Sequence, residues 1–361
     1  MAVPDLSLFY LMSKANSEIL TLAQIKAWPK AELHSHLDGA MRLATMLDLA
    51  EEQNKMDLLP AKTSEGLHLE LAKVDDSSDL YEYLAWFKYT IGLMQSESAL
   101  ERVAFEMAED FAMEQVKYVE VRFGPILHTG EGLNLNQVMD SVIRGLNKAK
   151  KKYDIEWGII VCALRDRFVE ASLEQAQLAV SYMERGVVAF DLAGAEAGNP
   201  AKQHLEAFYY ARNHMLNLTV HAGESWGPES IRQALFFCGA HRIGHGITLV
   251  QDDALLAFVR DHQIPLEICP TSNVQTNVVS SYEEHPIKEL LEKNVPVTVN
   301  TDSRLFSHTN SSGELYLAHT KCGLTADQTR MVALNGFRYA FLPLKARENM
   351  LKSAEKIIWG S

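Results

Sequence analysis

Eight short apolar segments recur along this chain, at 30–37, 118–123, 157–164, 187–193, 216–221, 242–245, 264–269 and 295–302. Each lacks a polar face, which is how strands read when helices cover both sides of a parallel sheet. The stretches between them have helical character, among them SLEQAQLAVSYMERG, PAKQHLEAFYYARNHM, PESIRQALFFCGA and DDALLAFVRDHQ. Strands alternating with helices predict parallel βαβ units, and eight units are the number that closes a (β/α)8 barrel. The fold class is therefore read as α/β, a (β/α)8 TIM-type barrel with extra helices inserted after the first strand. A doubly wound open sheet is the alternative, but no G-x-G-x-x-G follows the first strand.

One connection is too long for a single crossover helix. Residues 40–117, with helical patterns in DLYEYLAWFKYTIGLM and ESALERVAFEMAEDFAMEQ, follow a strand's C-terminal end. A barrel keeps its catalytic loops on that face, so the insertion is expected to form a lid. No repeat or Gly/Ser-rich linker divides the chain. It reads as one domain over 1–361, with the barrel core at about 30–340.

The net charge of −13 and the lack of a dense basic run argue against a nucleic-acid partner. No apolar stretch is long enough to span a bilayer. Residues 6–12 form a short apolar patch with no basic residue ahead of it, which fits a packing segment better than a signal peptide. Cys162, Cys238, Cys269 and Cys322 are scattered without a C-x-x-C pair, as in a reduced cytoplasmic protein.

Four pieces carry chemistry. In KAELHSHLDG, His34 and His36 are two apart and share one face of a strand. Paired neutral imidazoles suit a divalent metal such as zinc, although an H-x-H also arises in plain strand ends. In LTVHAGES, His221 ends a strand and Glu224 follows across a small turn; in RIGHG, glycines flank His245. In VPVTVNTDS, Asp302 closes an apolar run, where a charge is costly unless paired, exposed or metal-bound. An Asp there also fits a helix N-cap. Singly each has an ordinary structural explanation, but all four fall at C-terminal strand ends, where barrel enzymes keep their sites. H-E-x-x-H, G-x-S-x-G, the P-loop and the H-x-E…P-C-x-x-C pattern are all missing.

KAELHSHLDG, DLAGAEAG, VHAGES, IGHGI, LEICPTSN and VNTD resemble, in order, the motifs of the adenosine deaminase family within the amidohydrolase superfamily. The resemblance runs from about residue 30 to the end, where LNGFRYAFLP is also similar. It implies a barrel with one Zn2+ per chain, ligated by His34, His36, His221 and Asp302. It also implies Glu224 as proton donor to N1 of a purine, and His245 beside the water that attacks. Gly194 would present its amide to N3, Asp38 would lie near the ribose, and His36 would also touch substrate. Leu80, Tyr83, Leu84 and Phe87 would form the apolar lid, although ordinary helix core explains Leu84 equally well.

The implied activity is hydrolytic deamination of adenosine, and of 2′-deoxyadenosine, in purine salvage, with a small purine nucleoside as the only partner. Two positions depart from the pattern. Ser303 stands where many members have an Asp that bonds N7, and Ala195 stands where many have Asp after the glycine. Ser303 keeps open a sister activity on adenine or on a modified adenine nucleoside or nucleotide, while Asp38 leans toward adenosine. A metal-dependent ester or amide hydrolase would call for a lysine ending a middle strand, and there is none. A non-catalytic nucleoside-binding barrel would be expected to have lost ligands or the acid. Oligomeric state is not encoded legibly.

Overall fold

The computed structural model describes residues 18–360. The apolar patch at 6–12 lies outside the described residues. Eight strands run in chain order around one sheet: β1 (Lys30–His36), β2 (Val116–Phe123), β3 (Glu156–Leu164), β4 (Val187–Ala193), β5 (Asn217–Ala222), β6 (Arg242–His245), β7 (Leu266–Ile268) and β8 (Val297–Val299). Every neighbouring pair is parallel. The ring closes where Ser35 bridges to Asp302: the His36 N–H donates to the Asp302 carbonyl at 2.9 Å, and the Asp302 N–H to the His34 carbonyl at 2.8 Å. The (β/α)8 barrel is therefore the fold.

β7 and β8 are shorter than the apolar runs that announce them. Beyond Val299 the backbone pairing becomes sparse, with the Asn300 N–H donating to the Ile268 carbonyl at 2.9 Å, and a side chain supplements it: the Leu33 N–H donates to the Asn300 carboxamide oxygen at 3.1 Å. Asp302 then adopts φ +56, a left-handed conformation that cannot continue a strand.

The long β1–β2 connection holds Leu43–Glu52, Ser64–Leu71, Leu80–Leu84 and Lys88–Leu93 as helices, joined by short 3-10 turns. Asp79 caps Leu80–Leu84 by accepting from the Glu82 N–H, and Ser96 caps the following helix Glu97–Met113. That helix belongs to the outer ring: Leu100, Val103, Met107 and Phe111 are buried, and it packs against Leu135–Lys152. Gly145 permits the contact, since a Cβ there would lie 2.3 Å from the Glu101 carbonyl oxygen.

The barrel interior is polar. Arg122 (β2), Asp191 (β4), Arg242 (β6) and Glu267 (β7) are all buried. Arg122 pairs with Asp191 at 3.1 Å and Glu267 at 2.6 Å; Arg242 pairs with Glu267 at 2.6 Å and with Glu120. Charges this deep persist only when paired and hydrogen-bonded.

Candidate active site

This polar core aims the histidines. His34 Nδ1 meets Glu267 at 2.9 Å, and His221 Nδ1 meets Asp191 at 3.0 Å. Burial opposes ionisation of Glu267, but Arg122 and Arg242 hold its carboxyl at about 2. Burial likewise opposes the charge on Asp191, and His221 and Arg122 drive it below the ordinary carboxylate range. Ionised carboxylates only accept, so each Nδ1 carries the proton and each Nε2 presents a lone pair.

Those lone pairs converge. His36 Nε2 lies 3.2 Å from His221 Nε2 and 3.4 Å from Asp302 Oδ1, while His34 Nε2 is 3.9 Å from that oxygen. His34 Nε2 is buried with no hydrogen-bond partner. Burial pushes His34 and His36 well below the ordinary histidine range, so both are neutral. Ligands about 2.0–2.1 Å from a tetrahedral zinc lie about 3.3 Å apart, so this donor set fits such an ion. Cys269 also approaches His34 and Asp302. Burial pushes its thiol well above the ordinary range, which disfavours the thiolate.

His245 ends β6 with φ +61, in the left-handed region. Gly244 leaves room for the rings, since a Cβ there would press to 3.1 Å of both His34 Cε1 and His221 Cα. His245 Nε2 faces Glu224 Oε1 at 3.7 Å, and burial lowers its pKa to about 3. Burial, then the nearby Asp302 and Glu196 charges, pushes Glu224 well above the carboxylate range, which favours its protonated form.

Glu196 organises that turn. Its carboxylate accepts from the backbone N–H groups of Gly223 (2.6 Å), Glu224 (3.0 Å), Ser225 and Trp226 (3.1 Å). Buried Arg165 donates to the His221 carbonyl oxygen and to that of Asn199 at 2.9 Å, pinning the end of β5.

The structure brings the expected residues together. His36, Asp38, Leu80, Tyr83, Leu84, Phe87, Gly194, His221, Glu224, His245, Asp302 and Ser303 line one cavity, and His34 lies beneath it. Leu84, which helix core could have explained, is on its wall. Asp38 Oδ1 is buried without a partner, and burial raises that carboxyl to about 7. Ser303 donates to Asp302 Oδ1 at 3.3 Å, and packs so closely that a Cβ on Gly39 would come within 2.6 Å of it. Sequence reasoning missed Asp166 and Arg167 on the cavity wall, and Asp191, Glu267 and Asn273 behind it. Asp191 and Glu267 had a signal, a carboxylate inside an apolar run.

A family model described as adenosine deaminase matches residues 29–357. An adenosine deaminase of Mycobacterium avium (strain 104) is 41% identical over 348 residues, covering 91% of this chain and 94% of that protein. An adenine deaminase structure from Arthrobacter aurescens aligns with a TM-score of 0.86 at 24% identity, over 92% of this chain and 100% of that one; this is a likeness of fold. The Arabidopsis N6-mAMP deaminase structure gives 0.83 at 28% identity, over 92% and 99%.

Proposed function

The chain belongs to the adenosine deaminase family and is a hydrolytic deaminase, and from that premise we propose that it converts adenosine, and 2′-deoxyadenosine, to the 6-oxo nucleoside and ammonia. The observation that carries the reading is the convergence of three imidazole Nε2 atoms and the Asp302 carboxylate beside Glu224, whose protonated form burial favours. One zinc ion per chain, held by His34, His36, His221 and Asp302, is part of it. When bound, zinc lowers the pKa of a water ligand to about 7 and so supplies a nucleophile at neutral pH.

The chain's own residues do the rest. Glu224 gives its proton to N1, which draws electron density from C6 and opens that carbon to addition. His245 orients the attacking oxygen. The Gly194 amide donates to N3; Gly194 lines the cavity, and its φ of +93 is one that glycine adopts without strain. Asp38 Oδ1 takes a ribose hydroxyl. Leu80, Tyr83, Leu84 and Phe87 exclude bulk water, and His36 borders the base. Setting the reaction in purine salvage in the cytoplasm agrees with four free, buried cysteines.

Ser303 favours a second reading, a sister deaminase for adenine or a modified adenine nucleoside or nucleotide. Its neutral hydroxyl bonds a base nitrogen more weakly than a carboxylate group does. Ammonia release from adenosine, 2′-deoxyadenosine, adenine and AMP, each with and without a chelator, tests both. Turnover of adenine or AMP alone would replace the first reading by the second, and binding of adenosine without ammonia would make the barrel a non-catalytic binder.

A further inference from the structure

We propose that Asn273 and His285 are positioning residues that hold His245 in the tautomer whose Nε2 carries the proton, so that His245 serves the reaction as a hydrogen-bond donor. The proposal rests on the reading of this site as a deaminase and adds the direction of one hydrogen-bond chain.

The direction is fixed at its far end by a group with no freedom. The Ile287 backbone N–H donates to His285 Nδ1 at 3.2 Å. A backbone amide only donates, so Nδ1 of His285 is an acceptor and its proton must sit on Nε2. Burial lowers the pKa of His285 to about 4, which agrees with a neutral ring. His285 Nε2 lies 3.2 Å from Asn273 Oδ1, and Asn273 Nδ2 lies 3.1 Å from His245 Nδ1. A flipped carboxamide is excluded: its NH2 would face the N–H of His285, leaving two donors opposed. Asn273 therefore accepts from His285 and donates to His245. Nδ1 of His245 is then occupied as an acceptor, and its proton lies on Nε2, on the cavity side where Glu224 Oε1 stands 3.7 Å away.

All three side chains are buried, so water does not compete for these positions. The parts come from separate elements. Asn273 sits on the short helix Pro270–Gln275 after β7, and His285 precedes the helix Ile287–Glu292. Pro286 has no N–H, so the Ile287 amide is the first available in that turn. An Nε2–H aimed into the cavity stabilises negative charge developing on the attacking oxygen and cannot take a proton from it.

The test is the tautomer itself, read by long-range 1H–15N correlation on zinc-loaded, 15N-histidine-labelled protein. Both His245 and His285 are expected to be protonated at Nε2 and bare at Nδ1; a His245 bearing its proton on Nδ1 would overturn the proposal. Asn273→Asp puts an acceptor against His245 Nδ1 and should reverse its tautomer. It should lower kcat by about 10²-fold or more, the usual effect of losing one preorganised donor, with KM nearly unchanged. An unreversed tautomer, or reversal with full kcat, counts against it. His285→Gln keeps an N–H donor where Nε2 stood and should retain both tautomer and kcat; a loss as large as that of Asn273→Asp would also overturn the relay. Failure of the wild-type protein to deaminate adenosine would sink the proposed function while leaving the tautomer measurement readable.

Discussion

Glu196→Gln tests whether the loop bearing the acid is held by one carboxylate. The amide oxygen of Gln can keep the bond from Gly223 at 2.6 Å. Its NH2 then replaces Oε2, which accepts from the N–H groups of Glu224, Ser225 and Trp226. Charge-assisted bonds contribute about 1.5–3 kcal/mol each, so losing three outright would cost several kcal/mol. The bonds from Ser225 and Trp226 are only part-buried, however, so their loss counts for less than that of the buried bond from Glu224. The fully buried bond from the Glu224 amide sets the least cost, about 2–3 kcal/mol for one buried donor left unpaired. The functional loss should exceed the stability loss. A shift of about 1 Å in a positioned group costs about 10²-fold in rate, and this turn carries the proton donor. We expect thermal unfolding a few degrees lower by calorimetry, kcat down by about 10²-fold, and zinc content unchanged. Wild-type kcat together with an unshifted unfolding curve would refute the role assigned to Glu196.

The other predictions concern the acid, the metal and pH. Glu224→Gln should retain zinc and bind nucleoside yet lose nearly all turnover; substantial residual ammonia release would remove Glu224 as the donor. Elemental analysis of active protein should find one zinc per chain, and a chelator should abolish turnover and lower the unfolding temperature; a fully active, metal-free preparation contradicts the donor set. His128 is fully buried, its Nδ1 on the Met94 carbonyl at 3.1 Å, and burial depresses its pKa to about 4. Its unfolded-state pKa is about 6.5, so below that pH the unfolded chain takes up a proton that the fold refuses, and stability present above it is lost as pH falls toward 4. The loss is about 3 kcal/mol for this one group. Urea unfolding at pH 7 and pH 4.5 should show a smaller difference in His128→Asn, and an equal one would exclude His128 as a source.

The strands were legible because parallel barrel strands are apolar on both faces, and all eight lie within a few residues of their apolar runs. Their ends were less so. Nothing in VTVNTD announces that Asn300 will bond a β1 amide or that Asp302 will turn left-handed, since both depend on β1, more than 260 residues away in sequence. The convergence of His34, His36, His221 and Asp302 was legible only jointly, since each alone has an ordinary structural use and their shared place at C-terminal strand ends is what singled them out. Glu196 stood in view as part of DLAGAEAG, but its use needs the position of four amides 27–30 residues on. Asn273 and His285 were harder still. Their meaning lies in the direction of a three-member chain, and no spacing encodes a direction.

The polar barrel core gives a reason for the metal that is independent of the ligand geometry. Two guanidinium groups, Arg122 and Arg242, stand among four carboxylates, Asp191, Glu267, Glu120 and Asp302. Glu224, whose protonated form burial favours, adds nothing, and Arg165 is matched by Glu196 nearby. Leaving aside Asp38, Glu32 and Glu314, whose carboxyls burial raises to about 7 or 8, these six groups carry a formal charge of minus two, which an interior of low dielectric does not hold without a partner. A divalent cation at the convergence of the Nε2 atoms would neutralise it. The same carboxylates that set the charge also fix the histidine tautomers, so Asp191→Asn should both strip zinc and free the His221 ring. Loss of one without the other would show that charge balance and ligand orientation are separate functions.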